Sequence, residues 1–154
     1  MIYLDHAATT PMRPEILEAM RPYFLERFGN PSSLHSYGLD ARAAIEQARE
    51  NVARTIGATA QEIVFTSGGT ESDNLVLRGV LQQSAKGKDH IITSSIEHPA
   101  VLETCKFVEK LGHEVTYIPV DRDGRINPAE VEESIRDNTR LISIMHANNE
   151  IGSI

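Results

Sequence analysis

Short runs of β-branched and apolar residues alternate along this chain with longer stretches in which apolar positions recur every three or four residues. Ile16, Met20 and Phe24 share a helical face behind Pro14, a residue suited to a first helical turn, and Pro22 is expected to kink or end that helix. Ile45, Ala48, Val52 and Ile56 repeat the spacing, and Gly57 behind them is a natural C-terminal stop. Residues 2–4 are strand-like, and residues 62–66 read as a strand that opens onto Ser67-Gly68-Gly69-Thr70 and a helix carrying Leu75, Leu77, Val80 and Leu81. Residues 90–93 read as the next strand, ahead of Ser95-Ile96-Glu97-His98 and a helix bearing Val101, Leu102, Cys105 and Val108. Residues 114–120 form a further strand. Asn127, Pro128 and Glu130 then mark a helix start as N-cap, first helical residue and back-reaching carboxylate. Residues 141–145 are a strand of buried type.

This alternation predicts an α/β fold of βα units with a mainly parallel sheet. Residues 1–15 are set apart as an N-terminal segment, and residues 16–154 as one domain. A parallel sheet is covered by helices on both faces, yet residues 146–154 offer a polar loop and Gly-Ser-Ile, so the pattern predicts a domain that is incomplete here.

Charge narrows the classes. The 154 residues hold 22 acidic against 15 basic side chains, a net charge of −7 with no basic run, which disfavours nucleic acid and anionic membrane surfaces as partners. No stretch approaches the roughly 18 consecutive apolar residues of a membrane span, and Met-Ile-Tyr-Leu-Asp-His lacks the profile of a signal peptide. A single cysteine, Cys105, excludes an internal disulfide and fits a reducing compartment, so a cytoplasmic location is expected. No His-Glu-x-x-His occurs, and no metal is expected.

Ligands of open α/β sheets bind beyond the carboxyl ends of the strands, where three loops carry chemistry. Ser67-Gly68-Gly69-Thr70 is either an anion cradle, with glycines that let backbone N–H groups approach a ligand and a hydroxyl from Thr70, or an ordinary helix start. His98, ahead of Pro99, stands at or next to a helix N-cap, where the helix dipole disfavours imidazolium; a neutral ring there stacks on an aromatic group, shuttles a proton or merely completes a loop. Asn148-Asn149-Glu150 is by itself a turn, or a pair of amides aimed at a ligand oxygen. A phosphorylated aromatic cofactor would use all three loops at once.

Several motifs together, in order and spacing, resemble the NifS/IscS-type cysteine desulfurases, class V aminotransferase-fold enzymes that use pyridoxal 5′-phosphate (PLP). They are Tyr3-Leu4-Asp5-His6-Ala7-Ala8-Thr9-Thr10-Pro11, Phe28-Gly29-Asn30-Pro31-Ser32-Ser33, Phe65-Thr66-Ser67-Gly68-Gly69-Thr70-Glu71-Ser72, Glu97-His98 and Asn148-Asn149-Glu150-Ile151-Gly152. The resemblance covers essentially the whole chain but only the N-terminal part of such an enzyme, and it implies a truncated fold type I large domain for residues 16–154.

The resemblance further implies PLP as cofactor. Gly69 and Thr70 match the residues that hold the phosphate, His98 the catalytic histidine stacked on the pyridine ring, and Asn149 the asparagine at the ring's phenolic oxygen. Ala7, Thr9 and Asn30 match segments near the substrate mouth, though a turn and a strand end explain them equally well. The implied reaction removes sulfur from L-cysteine as an enzyme persulfide and releases L-alanine, for iron–sulfur cluster assembly or other sulfur transfer. A sulfur-acceptor or scaffold protein and a second copy of the chain are the implied partners.

The helical spacing of Cys105 with Val101 and Val108 predicts an inert buried thiol rather than the nucleophile. Lys86, Lys88, Lys106 and Lys110 match nothing in the family's His-x-x-Lys element. The chain alone is therefore expected to be inactive. Two alternatives stay open: a non-catalytic binding module on the same framework, and another class V PLP enzyme such as selenocysteine lyase.

Overall fold

A computed structural model describes residues 2–82 and 88–154 of the chain; Lys86 lies outside them. The chain divides into two compact units, residues 1–65 and residues 66–154.

The first unit is helical. Helix α1 spans Pro14–Leu25 with its proline at the start, as its sequence predicts. Pro22 neither ends the helix nor stops the last turn, because it removes only the bond back to Glu18, while its own carbonyl accepts from Glu26 N–H at 2.8 Å. Helix α2, Ser36–Ile56, stops where Gly57 turns left-handed at φ 71° and donates its N–H to the Ala53 carbonyl. Gly38 lets α2 begin against the preceding turn, since a Cβ there would strike the carbonyls of Ser33 and Asn30.

Two strand expectations fail in this unit. Residues 2–4 join no ladder; the Tyr3 hydroxyl donates to the Asp5 carbonyl at 2.8 Å, and a turn follows. In the 62–66 run, Glu62 instead ends a 3-10 turn, Ala60–Glu62, because its carboxylate accepts from both the N–H and the hydroxyl of Thr59. Arg49, whose guanidinium lies 5.1 Å from the Phe65 ring, donates to the Ile63 carbonyl, a group a strand would have offered to a neighbour.

The second unit has the expected α/β order: α3 (Gly69–Gln82), β1 (His90–Ser94), α4 (Pro99–Lys110), β2 (Glu114–Ile118), α5 (Pro128–Glu133) and β3 (Thr139–Ser143). Its three strands are parallel in the order β2-β1-β3. Register places Val115 and Leu141 beside Ile91, and Tyr117 and Ser143 beside Thr93. On this face Leu77 and Leu81 of α3 and Val101, Cys105 and Val108 of α4 close the core over Ile91. Burying Ile91 and Leu77 contributes roughly 1.5–3 kcal/mol each.

Strand β3 starts and ends two residues earlier than the 141–145 run predicts, and β2 stops at Ile118 rather than at residue 120. The Met145 N–H, which a longer strand would put in the ladder, donates instead to a side chain of the β1–α4 loop. Nor is β3 buried on both faces: Leu141 packs on the core while Ile142 stays 42% exposed. At α5, Asn127 Oδ1 accepts from Ala129 N–H at 3.1 Å, and Glu130 meets the Asn127 amide rather than its backbone.

Candidate functional site

Thr70 and His98 line one cavity of about 540 Å³ between α3 and α4, with Asn74, Arg78, Glu103 and Phe107 along its length. Thr70, Asn74 and Arg78 follow one another four residues apart down α3, and the Arg78 guanidinium sits 5.2 Å from the Phe107 ring of α4. The two helices therefore run side by side in the same direction, and both amino ends open at the same mouth. Two helix dipoles present their positive ends there, which favours an anion more than either would alone.

The α3 end is built for exposure. Its ladder begins with Ser72 N–H donating to the Gly68 carbonyl, so the N–H groups of Gly69, Thr70 and Glu71 precede it. A Cβ on Gly68 or Gly69 would meet no atom within 4 Å. Neither glycine has a positive φ. Packing and backbone conformation among the described residues thus do not require glycine here; the absence of a side chain leaves space for a ligand beside the first-turn N–H groups. Glu71 turns away to Ser67, accepting from its hydroxyl at 2.6 Å and its N–H at 2.7 Å. The Ser67 hydroxyl, then its N–H, holds the Glu71 carboxyl below the usual carboxylate range.

His98 is the N-cap of α4, and its Nδ1 accepts from Ala100 N–H at 3.1 Å. An accepting Nδ1 carries no proton, so the ring bears its proton on Nε2, with the ring itself exposed. Its cap bond sets the ring's direction without occupying its faces.

The third loop divides its labour. Asn148, 7% exposed, donates through Nδ2 to the Ile96 carbonyl at 3.0 Å and accepts at Oδ1 from Glu150 and Ile151 N–H at 2.8 and 3.0 Å. It holds the turn. Asn149 is left exposed, with a local bond from Nδ2 to Glu150 Oε1 at 3.1 Å, and it does not line the cavity that joins Thr70 and His98. In the first unit, Thr9 N–H donates to the Asp5 carbonyl and Asn30 Oδ1 accepts from Ser32 N–H, so a turn accounts for both.

Glu97 stands beside His98 in the sequence reading without a role given to it, and the structure buries it. Its Oε1 accepts from the Ser94 hydroxyl and from Met145 N–H, each at 2.7 Å. The signals were its place next to His98 in a loop and in the Glu97-His98 motif, and loops carry no periodicity from which burial can be read. Cys105 is wholly buried among Leu77, Leu81, Ile91 and Val108. Burial first, then Glu109 and Glu97, pushes its thiol up to about 11. Such a thiol is a poor nucleophile.

A parallel α/β sheet with helix amino ends gathered above its carboxyl edge is the open α/β framework whose ligands bind beyond the strand ends. The chain matches the aminotransferase class-V family over residues 2–154 and belongs to it. It is 60% identical to the cysteine desulfurase IscS of Dictyoglomus turgidum over 99% of its own length, and 50% identical to a putative cysteine desulfurase, IscS 1, of Bacillus subtilis. Among solved structures it superposes on a NifS-like protein with a TM-score of 0.94 at 44% identity over 98% of the chain, and on SspA in complex with cysteine with a TM-score of 0.92 at 49% identity over 96%. The chain spans about 40% of the length of these relatives: 39% and 40% of the two desulfurases, 42% and 43% of the two structures.

Proposed function

We propose that this chain forms the phosphate- and ring-binding part of a PLP-dependent cysteine desulfurase. The observation that carries this reading is the single cavity lined by Thr70 and His98, at whose mouth two helix amino ends meet. Bare N–H groups beside Gly69 and a hydroxyl on Thr70 suit a phosphate monoester, and the exposed ring of His98, held by its cap bond, suits a flat aromatic partner. When bound, PLP supplies an electron sink for bond breaking at the substrate amino acid.

In this reading Gly69 and Thr70 would hold the phosphate and the ring of His98 would lie against the pyridine ring, with Nε2 left as its proton-bearing nitrogen. Asn149, whose amide makes only a local bond to Glu150, would supply the donor for the ring's phenolic oxygen. Cys105 does not carry sulfur, being buried in the core. The lysine that anchors the cofactor and the sulfur-accepting cysteine belong to other parts of the enzyme. L-Cysteine is the substrate, L-alanine the product, a sulfur-acceptor or scaffold protein the partner, and a homodimer the assembly.

The test uses a protein that carries this segment at the full length of its relatives. His98→Ala is expected to lower alanine formation from L-cysteine by tenfold or more, on the order of a lost acid–base or stacking group. His113→Ala, in the loop between α4 and β2, is expected to change it less than about twofold. Equal, mild losses in both variants would remove His98 from the site.

A further inference from the structure

The backbone ladder between β1 and β3 ends at the pair Thr93 and Ser143. Beyond it the chain after β1 leads to His98 and the chain after β3 to Asn149. Bonds that involve side chains reinforce the last pair and carry the pairing onward: Thr93 Oγ1 donates to the Ser143 carbonyl at 2.8 Å, Met145 N–H donates to Glu97 Oε1 at 2.7 Å, and Asn148 Nδ2 donates to the Ile96 carbonyl at 3.0 Å. Glu97 and Asn148 are each only 7% exposed, so each polar group needs its partner. They reach across in opposite senses, Glu97 from the first loop to the second and Asn148 from the second to the first. Glu97 directly precedes His98, and Asn148 directly precedes Asn149.

We infer that Glu97 and Asn148 are positioning residues: a reciprocal clasp that sets the separation of His98 and Asn149, and through it the grip on the cofactor ring. The inference rests on the functional reading above. A change of about 1 Å in such a separation is enough to weaken a preorganised site. Asn148 also has a second task that substitution can separate from the clasp, whereas Glu97 Oε1 serves Met145 N–H and the Ser94 hydroxyl together. Asn148 Oδ1 supports the turn through Glu150 and Ile151 N–H, and an aspartate keeps that acceptor while losing the donor to Ile96. Glutamine in place of Glu97 keeps an acceptor oxygen for Met145 N–H, whereas alanine does not.

The experiment takes the full-length protein and measures PLP dissociation by titration of the cofactor-free form, visible circular dichroism of the bound cofactor, and amide exchange at Met145 without cofactor. Asn148→Asp and Glu97→Ala are expected to raise the PLP dissociation constant about tenfold and to change the cofactor's circular dichroism. Glu97→Ala is further expected to speed Met145 amide exchange about tenfold or more, with Glu97→Gln close to the parent in all three measurements. If Glu97→Ala fails to fold, Asn148→Asp still decides through affinity and dichroism. Unchanged affinity and dichroism in Asn148→Asp, or equal losses in Glu97→Gln and Glu97→Ala, would overturn the clasp. His98→Ala and Asn149→Ala serve as controls: if neither alters PLP binding, the functional reading fails, whereas losses there without losses in Asn148→Asp refute the clasp alone.

Discussion

Residues 66–154 bury large apolar side chains, whereas residues 1–65 form helices just as regular that bury almost none. In the second unit all of β1 is buried, and α3 and α4 contribute Leu77, Leu81, Val101, Cys105 and Val108 to one cluster. In the first unit α1 has no buried residue, and α2, 21 residues long, buries only Gly38, Ala41 and Ala53. Both units carry strong local signals at their helix ends. What separates them is a sheet, because a strand offers each helix a flat apolar surface on which several side chains can pack at once. Helix formation and core formation are thus different achievements: the first needs caps and period, the second needs residues distant in sequence.

The contrast is sharpest in truncation. Ile91→Ala, at the centre of the sheet, is expected to destabilise by about 2–5 kcal/mol in equilibrium denaturation. Ile16→Ala, at a position on α1 that is itself 48% exposed, should shift stability by no more than about 0.5 kcal/mol. Comparable losses from both would mean that the first unit has a core of its own.

Gly57→Ala is a smaller perturbation, aimed at the local logic of the first unit. With φ at 71° and no atom within 4 Å of an added Cβ, its cost is that of the backbone alone, about 1 kcal/mol. A neutral result would show that the end of α2 is not set by this residue.

The smallest effect concerns pH and belongs to the second unit. His90 is fully buried at the start of β1, its ring bonded at 2.8 Å to both the Thr139 and Thr116 hydroxyls. Burial, then the nearby Arg136 guanidinium, lowers its pKa, partly opposed by Glu114. The unfolded chain therefore binds this proton more readily than the folded one. The contribution is complete above about pH 6.5 and declines as pH falls through the depressed folded value. Both hydroxyls can accept from a charged ring, which keeps the effect modest. Denaturation midpoints at pH 7.5 and 5.5 should differ less in His90→Gln than in the parent. An identical pH difference in both would assign the acid sensitivity elsewhere.

Much of this architecture is legible in the chain because its signals are local. Pro14, Gly57, Pro99 and the pair Asn127-Pro128 mark helix ends through backbone groups satisfied within a few residues, and all four marks hold. The position of His98 ahead of Pro99 is legible for the same reason: the N-cap bond reaches two residues, from Ala100 N–H to Nδ1. Residues 62–66 look as much like a strand as residues 90–93 do. Only the second run becomes one, since a strand exists through a ladder that its own residues cannot supply.

The site divides along the same line. The sequence by itself determined the α/β alternation, the helix starts that carry Thr70 and His98, and the helical face that hides Cys105. Tertiary structure alone decided that the α3 and α4 amino ends share one cavity, that β3 ends early, and that Asn148 rather than Asn149 holds the turn. It also gave buried Glu97 a partner 48 residues away, and Asn148 one at a distance of 52. Caps and turns close within a few residues, so their chemistry can be read in order along the chain. A buried carboxylate or amide is satisfied only by groups that folding brings to it, and no local pattern records which groups those are.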